Sequence, residues 1–132
     1  MIQLLKFIVS YLSALFDEYG FQLKASENSG NRFSGASILM ASRDLEIFLA
    51  IERDEITADF RSVFDKRERN WYSIDIILSF LGHRCLSGVL DDQNASLMRD
   101  GLPEIIDCFR ESNVERTLKL LDGLEKERSK GM

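Results

Sequence analysis

The sequence predicts an α+β fold: an N-terminal helix, a four-stranded antiparallel meander, then two to three C-terminal helices packed on one face of the sheet. Three observations carry this. Apolar residues recur at helical spacing from residue 4 to 19, alternate with polar residues between 36 and 62, and return to helical spacing beyond residue 70. The alternation is clearest through Ile47, Leu49 and Ile51 and again through Ile56, Ala58 and Phe60, as in an antiparallel sheet with one face covered and one wet. The wet face is expected to carry Glu46, Glu52, Thr57, Asp59 and Arg61.

Leu4, Ile8, Leu12, Leu15 and Tyr19, flanked by Leu5 and Phe16, form the first helical stripe. Gly20 stands where a left-handed residue ends a helix, so helix 1 is expected to stop near Glu18. Gln3, Lys6, Ser10 and Ser13 interrupt this run, whereas a membrane span needs about 20 apolar residues. The basic start and small-residue cleavage site of a secretory signal are also missing, so no membrane association is expected. Phe21 to Ala25 alternate briefly before the turn-rich Asn28-Ser29-Gly30-Asn31, a hairpin into the strand centred on Leu39. Arg43-Asp44 and Arg53-Asp54 mark the two remaining turns, since Asp tolerates the left-handed backbone of a tight hairpin.

After a charged crossing at 65–69, Ile74, Ile77, Leu78 and Leu81 define helix 2, with Asn70 as its N-cap and Gly82 near its end. Pro103 either breaks a longer helix or, as preferred here, occupies the first turn of one that runs through Ile105, Ile106 and Phe109. In the last helix Ser112 and Glu115 have capping-box spacing and Leu118, Leu120, Leu121 and Leu124 form a stripe. Glu115/Lys119 and Asp122/Lys126 there are correctly oriented pairs. Residues 126–132 are expected to fray.

A chain of 132 residues with 45% hydrophobic and 30% charged residues reads as a single domain over 1–132 that builds its own core. Cys85 and Cys108 fit no CxxC or Cys/His pattern and are read as buried thiols of a reducing cytoplasm. The net charge is −5, and its location matters more than its size. Between residues 91 and 115, Asp91, Asp92, Asp100, Glu104, Asp107, Glu111 and Glu115 face only Arg99 and Arg110, an excess equal to that of the whole chain. Such a surface repels phosphate backbones and attracts basic proteins, so a nucleic-acid partner is not expected.

No catalytic constellation emerges, and neither a cofactor nor a metal site is expected. His83 and Cys85, two residues apart at a helix end, do not face each other as a dyad would. Asp91-Asp92 and the Arg-Asp turns lack the spacing of a cation loop, and no glycine-rich phosphate loop opens a helix. Trp71-Tyr72, just before helix 2, is either an exposed aromatic anchor for a partner or a core pair that seats that helix. The candidate partner-binding residues are therefore Asp91, Asp92, Asp100, Glu104, Asp107, Glu46, Glu52, Asp59, Trp71 and Tyr72.

With its leading helix, the strand segment IlePheLeuAlaIleGluArgAspGluIleThrAlaAspPhe and the following TrpTyrSerIleAspIleIleLeuSerPheLeuGly, the chain resembles small bacterial immunity proteins of polymorphic and contact-dependent toxin systems. The resemblance covers roughly residues 1–82 and is one of pattern. It implies a small acidic cytoplasmic protein, not an enzyme, monomeric or weakly dimeric, that occludes a cognate toxin domain, often a basic nuclease. A small acidic secretion chaperone similar to the type III class is the alternative. That class usually inserts a helix between its strands and exposes an apolar groove for an effector segment.

Overall fold

In the computed structural model, which describes residues 2–28, 35–65, 71–84 and 87–130, the alternating segments become β1 (Gln22–Asn28), β2 (Ala36–Ala41), β3 (Leu45–Glu52) and β4 (Glu55–Ser62). They pair antiparallel in sequence order. A fifth strand, β5 (Tyr72–Ser73), adds to β4, so the sheet has five strands where the alternation predicts four. Two residues are too few to display a period, which is why β5 is not visible in the pattern.

The β3–β4 turn places Arg53 and Asp54 at φ 53° and 66°. Two successive left-handed residues match the right-handed twist of the flanking strands, and Asp54 is the kind of residue that accepts them. In the β2–β3 connection the Ser42 hydroxyl accepts from the Asp44 and Leu45 amides at 3.4 and 3.3 Å. The expected turn at 28–31 lies largely outside the described residues. Beyond it, a Cβ at Gly35 would lie 1.4 Å from the Ile51 carbonyl oxygen, so only glycine permits this approach of the two strands.

The N-terminal helix comprises α1 (Ile2–Phe7), a π segment (Ile8–Leu12) and α2 (Ser13–Asp17). Its buried stripe explains the π turn. Leu4, Ile8 and Leu12 recur every four residues, and an α-helix of 3.6 residues per turn would carry them progressively off the core. The wider i→i+5 turn absorbs that mismatch. Gly20, at φ 71°, ends the helix as expected and turns the chain into β1.

Three helices follow: α3 (Ile74–Phe80), α4 (Asp92–Cys108) and α5 (Val114–Lys130). Helix α3 begins after Ser73, so Ser73 stands at its N-cap position in place of the expected Asn70, which lies outside the described residues. The strand pairing of Tyr72 and Ser73 postpones the helix start. Pro103 is neither a breaker nor in a first turn; it lies inside the 17-residue α4. Ala95, Met98, Leu102 and Ile105 run unbroken past it on the buried side, and this packing holds the helix through the one amide hydrogen bond that Pro cannot make. Helix α5 starts at Val114, leaving Asn113 rather than Ser112 at its boundary, with Thr117 N–H donating to the Asn113 carbonyl at 3.2 Å.

The helices cover one sheet face. Ile38, Met40, Leu45, Ile47, Leu49, Ala58, Phe60 and Tyr72 point into a core completed by Leu4, Leu12 and Leu15 of the N-terminal helix, Ile77 of α3, Met98 and Leu102 of α4, and Leu121 of α5. Tyr72, fully buried, donates its hydroxyl to Asp122 Oδ1 of α5 at 2.6 Å. Asn94 is buried in the first turn of α4, and its amide donates to the Val89 and Ser87 carbonyls. Among the described residues no helix is long and apolar enough to cross a membrane.

Replacing Pro103 by Ala should stabilise the protein by about 1–3 kcal/mol, because the site is already helical and solvent-facing; equilibrium urea unfolding checks this. By the same measurement, Tyr72→Phe should cost about 1–3 kcal/mol, the usual worth of a hydrogen bond to a charged acceptor.

Candidate functional site

Among the described residues, no helix covers the second face of the sheet. Register places Ala25, Leu39, Phe48, Asp59 and Ser73 in one row across all five strands of that face. A neighbouring row joins Ala41, Glu46 and Arg61, with Trp71 following at the edge just ahead of β5. Leu39, Glu46, Phe48, Asp59, Arg61, Trp71 and Ser73 are all half-buried, each lying partly on its neighbours.

Around Trp71 these side chains form a continuous stack. The Arg61 guanidinium carbon lies 4.3 Å from the Trp71 ring centroid, and the Phe48 ring is 6.0 Å from the same ring on β3. Arg61 also donates through Nε and Nη2 to Glu46 Oε1 at 3.1 and 3.0 Å. The cation is therefore held on both sides, by a carboxylate and by an aromatic face. Trp and Arg on a rigid sheet are residue types that dominate protein–protein binding energy.

A second charged group borders the row. Ser73 Oγ donates to Asp75 Oδ1, and Arg128 of α5 donates to Asp75 Oδ2 at 2.7 Å and to Ser73 Oγ at 3.1 Å. Burial opposes ionisation of Asp75, but the bonds from Ser73 and Arg128 and the Arg128 charge outweigh it and hold its carboxyl below the usual range. Asp59 is in the opposite condition. Burial, and next the negative charge of Asp75, push its carboxyl above the usual range, and among the described residues it has no hydrogen-bond or salt-bridge partner.

The residues expected to contact a partner thus separate. Glu46, Asp59 and Trp71 come together on the open face, with Phe48, Leu39, Arg61 and Ser73 as neighbours that were not among the expected partner-binding residues. The period-2 pattern already placed Arg61 on this face, and Phe48 follows from the same alternation, one residue out of phase with Ile47 and Leu49. Tyr72 belongs instead to the core: adjacent strand residues point to opposite faces, so the Trp71-Tyr72 pair is divided between them. Glu52 is exposed at the end of β3, beside the hairpin turn.

The acidic segment lies on the helical side. Asp91 Oδ1 accepts from the Asn94 amide at 2.8 Å and caps α4, while Asp92 Oδ1 accepts from the Tyr11 hydroxyl at 3.1 Å and ties α4 to the π turn. Both acids therefore have structural work. Asp100, Glu104 and Asp107 form a ridge at i, i+4 and i+7 on the solvent side of α4, away from Met98, Leu102 and Ile105. Two weak exposed pairs, Arg99 Nε–Asp100 Oδ1 and Arg110 Nη1–Asp107 Oδ1, both 3.5 Å, partly offset it.

Burial first, then the carboxylates of Glu104 and Asp107, push the Cys108 thiol above its usual range, and a protonated thiol is a poor nucleophile. His83 is exposed just past α3, whereas Cys85 lies outside the described residues. Among the described residues no group of three or more His, Cys, Asp or Glu side chains could hold a metal ion. No protein-family model, curated protein or solved structure matches the chain.

A carboxyl whose folded pKa is raised binds a proton more tightly when folded, so its contribution to stability falls as pH rises from the ordinary carboxylate range through the raised value. Asp59→Asn should therefore raise Tm at pH 7. The gain should shrink as the pH falls toward the ordinary carboxylate range; paired thermal melts across pH measure both effects.

Proposed function

We propose that this protein is a binding protein of the immunity type, which docks the open face of its sheet on a cognate basic toxin domain in the cytoplasm and blocks that domain's site. The observation that supports the reading most is the Phe48–Trp71–Arg61 stack near the β5 edge of a sheet face that no helix covers among the described residues. Phe48 lies on a strand paired on both sides, and Arg61 is tied to Glu46 and to the Trp71 ring, so a partner meets side chains that have already lost much of their rotamer freedom. The net charge of −5 favours encounter with a basic partner. The Asp100–Glu104–Asp107 ridge lies on the far side of the helical layer and adds to that attraction chiefly at low ionic strength.

The chaperone reading has one specific observation in its favour. Phe80, Leu120, Gly123 and Leu124 line a groove of about 410 Å³ between α3 and α5, flanked by Lys119 and Glu127. Against it, successive strands pair directly, and no helix stands between strands among the described residues.

The reading is tested by co-expressing the chain with basic toxin domains encoded in its host's genome. Rescue of growth from one of them and a stable complex on size exclusion are expected; undiminished killing by all of them would overturn the proposal. Within that complex, Trp71→Ala should weaken binding by about 2 kcal/mol or more through faster dissociation. Combined reversal of Asp100, Glu104 and Asp107 to Lys should slow association about tenfold at low salt and much less at physiological salt. Surface plasmon resonance separates the two effects.

A further inference from the structure

We infer that Asp59 is the receptor for an arginine side chain of the protein partner, taken on β4 of the open sheet face between Phe48 and Ser73. This rests on the proposed binding role and names the chemistry the partner must present.

The inference follows from how the charges of this face are already committed. Among the described residues, the cations beside Asp59 and Trp71 are Arg61 and Arg128. Arg61 is spent on Glu46 and on the Trp71 ring, and Arg128 on Asp75 and Ser73. Every carboxylate of the two rows and their border has a cation except Asp59, which sits directly across from Phe48 on β3 and Ser73 on β5. A half-buried carboxylate that has lost water without gaining a donor is costly to keep, and its folded form gains most from a cation delivered from outside. Directly opposed residues of an antiparallel pair have Cβ atoms about 5 Å apart, so a group bound at Asp59 must also lie against the Phe48 ring. That combination suits a guanidinium. It is planar, weakly hydrated, bonds a carboxylate through two parallel N–H groups and stacks on an aromatic face, whereas an ammonium is compact and strongly hydrated. The face already holds one arginine in this manner, Arg61 between Glu46 and Trp71, and Asp59 offers the carboxylate of a second such pair, with the Phe48 ring, which also packs on Trp71, across from it.

The test uses the full chain, labelled for heteronuclear NMR, titrated with a capped Gly-Arg-Gly peptide and with its neutral citrulline and its lysine counterparts. The expected result is a set of shifts centred on Phe48, Asp59, Ser73 and the Trp71 indole, strongest with arginine and about tenfold or more weaker in Asp59→Asn, a neutral variant of the same shape. Shifts confined to Asp100, Glu104 and Asp107, equal shifts from lysine, or an unchanged response in Asp59→Asn would overturn the inference.

The two proposals fail separately. A cognate toxin complex that tolerates Asp59→Asn without loss removes the arginine receptor and leaves the immunity reading standing. An arginine-selective response at Asp59 in a protein that neutralises no toxin supports the receptor and removes the immunity reading.

Discussion

The pairing of Tyr72 and Ser73 with Phe60 and Asp59 is the constraint on which most of the molecule turns. Two residues of strand suffice to place one aromatic on each side of the sheet. Tyr72 enters the core and reaches Asp122 of α5, so the last helix is anchored through a strand edge. Trp71 is left on the open face, where Arg61 and Phe48 close around it. Ser73 stands simultaneously at the end of the strand and the beginning of α3, which brings Asp75 and Arg128 to the border of the same face. Moving the pairing by one residue would exchange Trp71 and Tyr72 between water and core.

The two faces of the sheet solve different problems. The covered face buries apolar side chains of the central strands against the helices, and its stabilisation scales with the apolar area removed from water. The open face keeps charged groups, and around Trp71 it keeps two of its carboxylates in ion pairs. Glu46 has Arg61 and Asp75 has Arg128, whereas the half-buried Asp59 between them has neither a hydrogen-bond nor a salt-bridge partner among the described residues. A half-buried carboxyl without a partner weakens the isolated protein, and such local costs are a common companion of binding sites.

On the helical side, the acids divide by their surroundings rather than by their sequence. Asp91 and Asp92 are consumed by the start of α4, one capping it and one joining it to Tyr11. Asp100, Glu104 and Asp107 remain solvent-facing because α4 stays helical past Pro103 and so keeps all three on one side. A break at Pro103 would have scattered them.

Period alone was enough to announce the α+β class, the helix ended by Gly20, the contiguous antiparallel strands and the membership of Glu46, Asp59 and Arg61 on a wet face. These follow from local geometry: side chains alternate along a strand and recur every turn of a helix, whatever they pack against. Local rules could not assign Trp71 and Tyr72 to opposite faces, because a two-residue strand has no period and is made only by its neighbour. Nor could they carry α4 through Pro103 or widen the N-terminal helix at Ile8–Leu12, since in both places packing against the core outweighs the local preference. The isolation of Asp59 belongs to the same class. It depends on which cations Glu46, Trp71, Asp75 and Ser73 have already engaged, and those partners meet only when β3, β4, β5 and α5 are assembled.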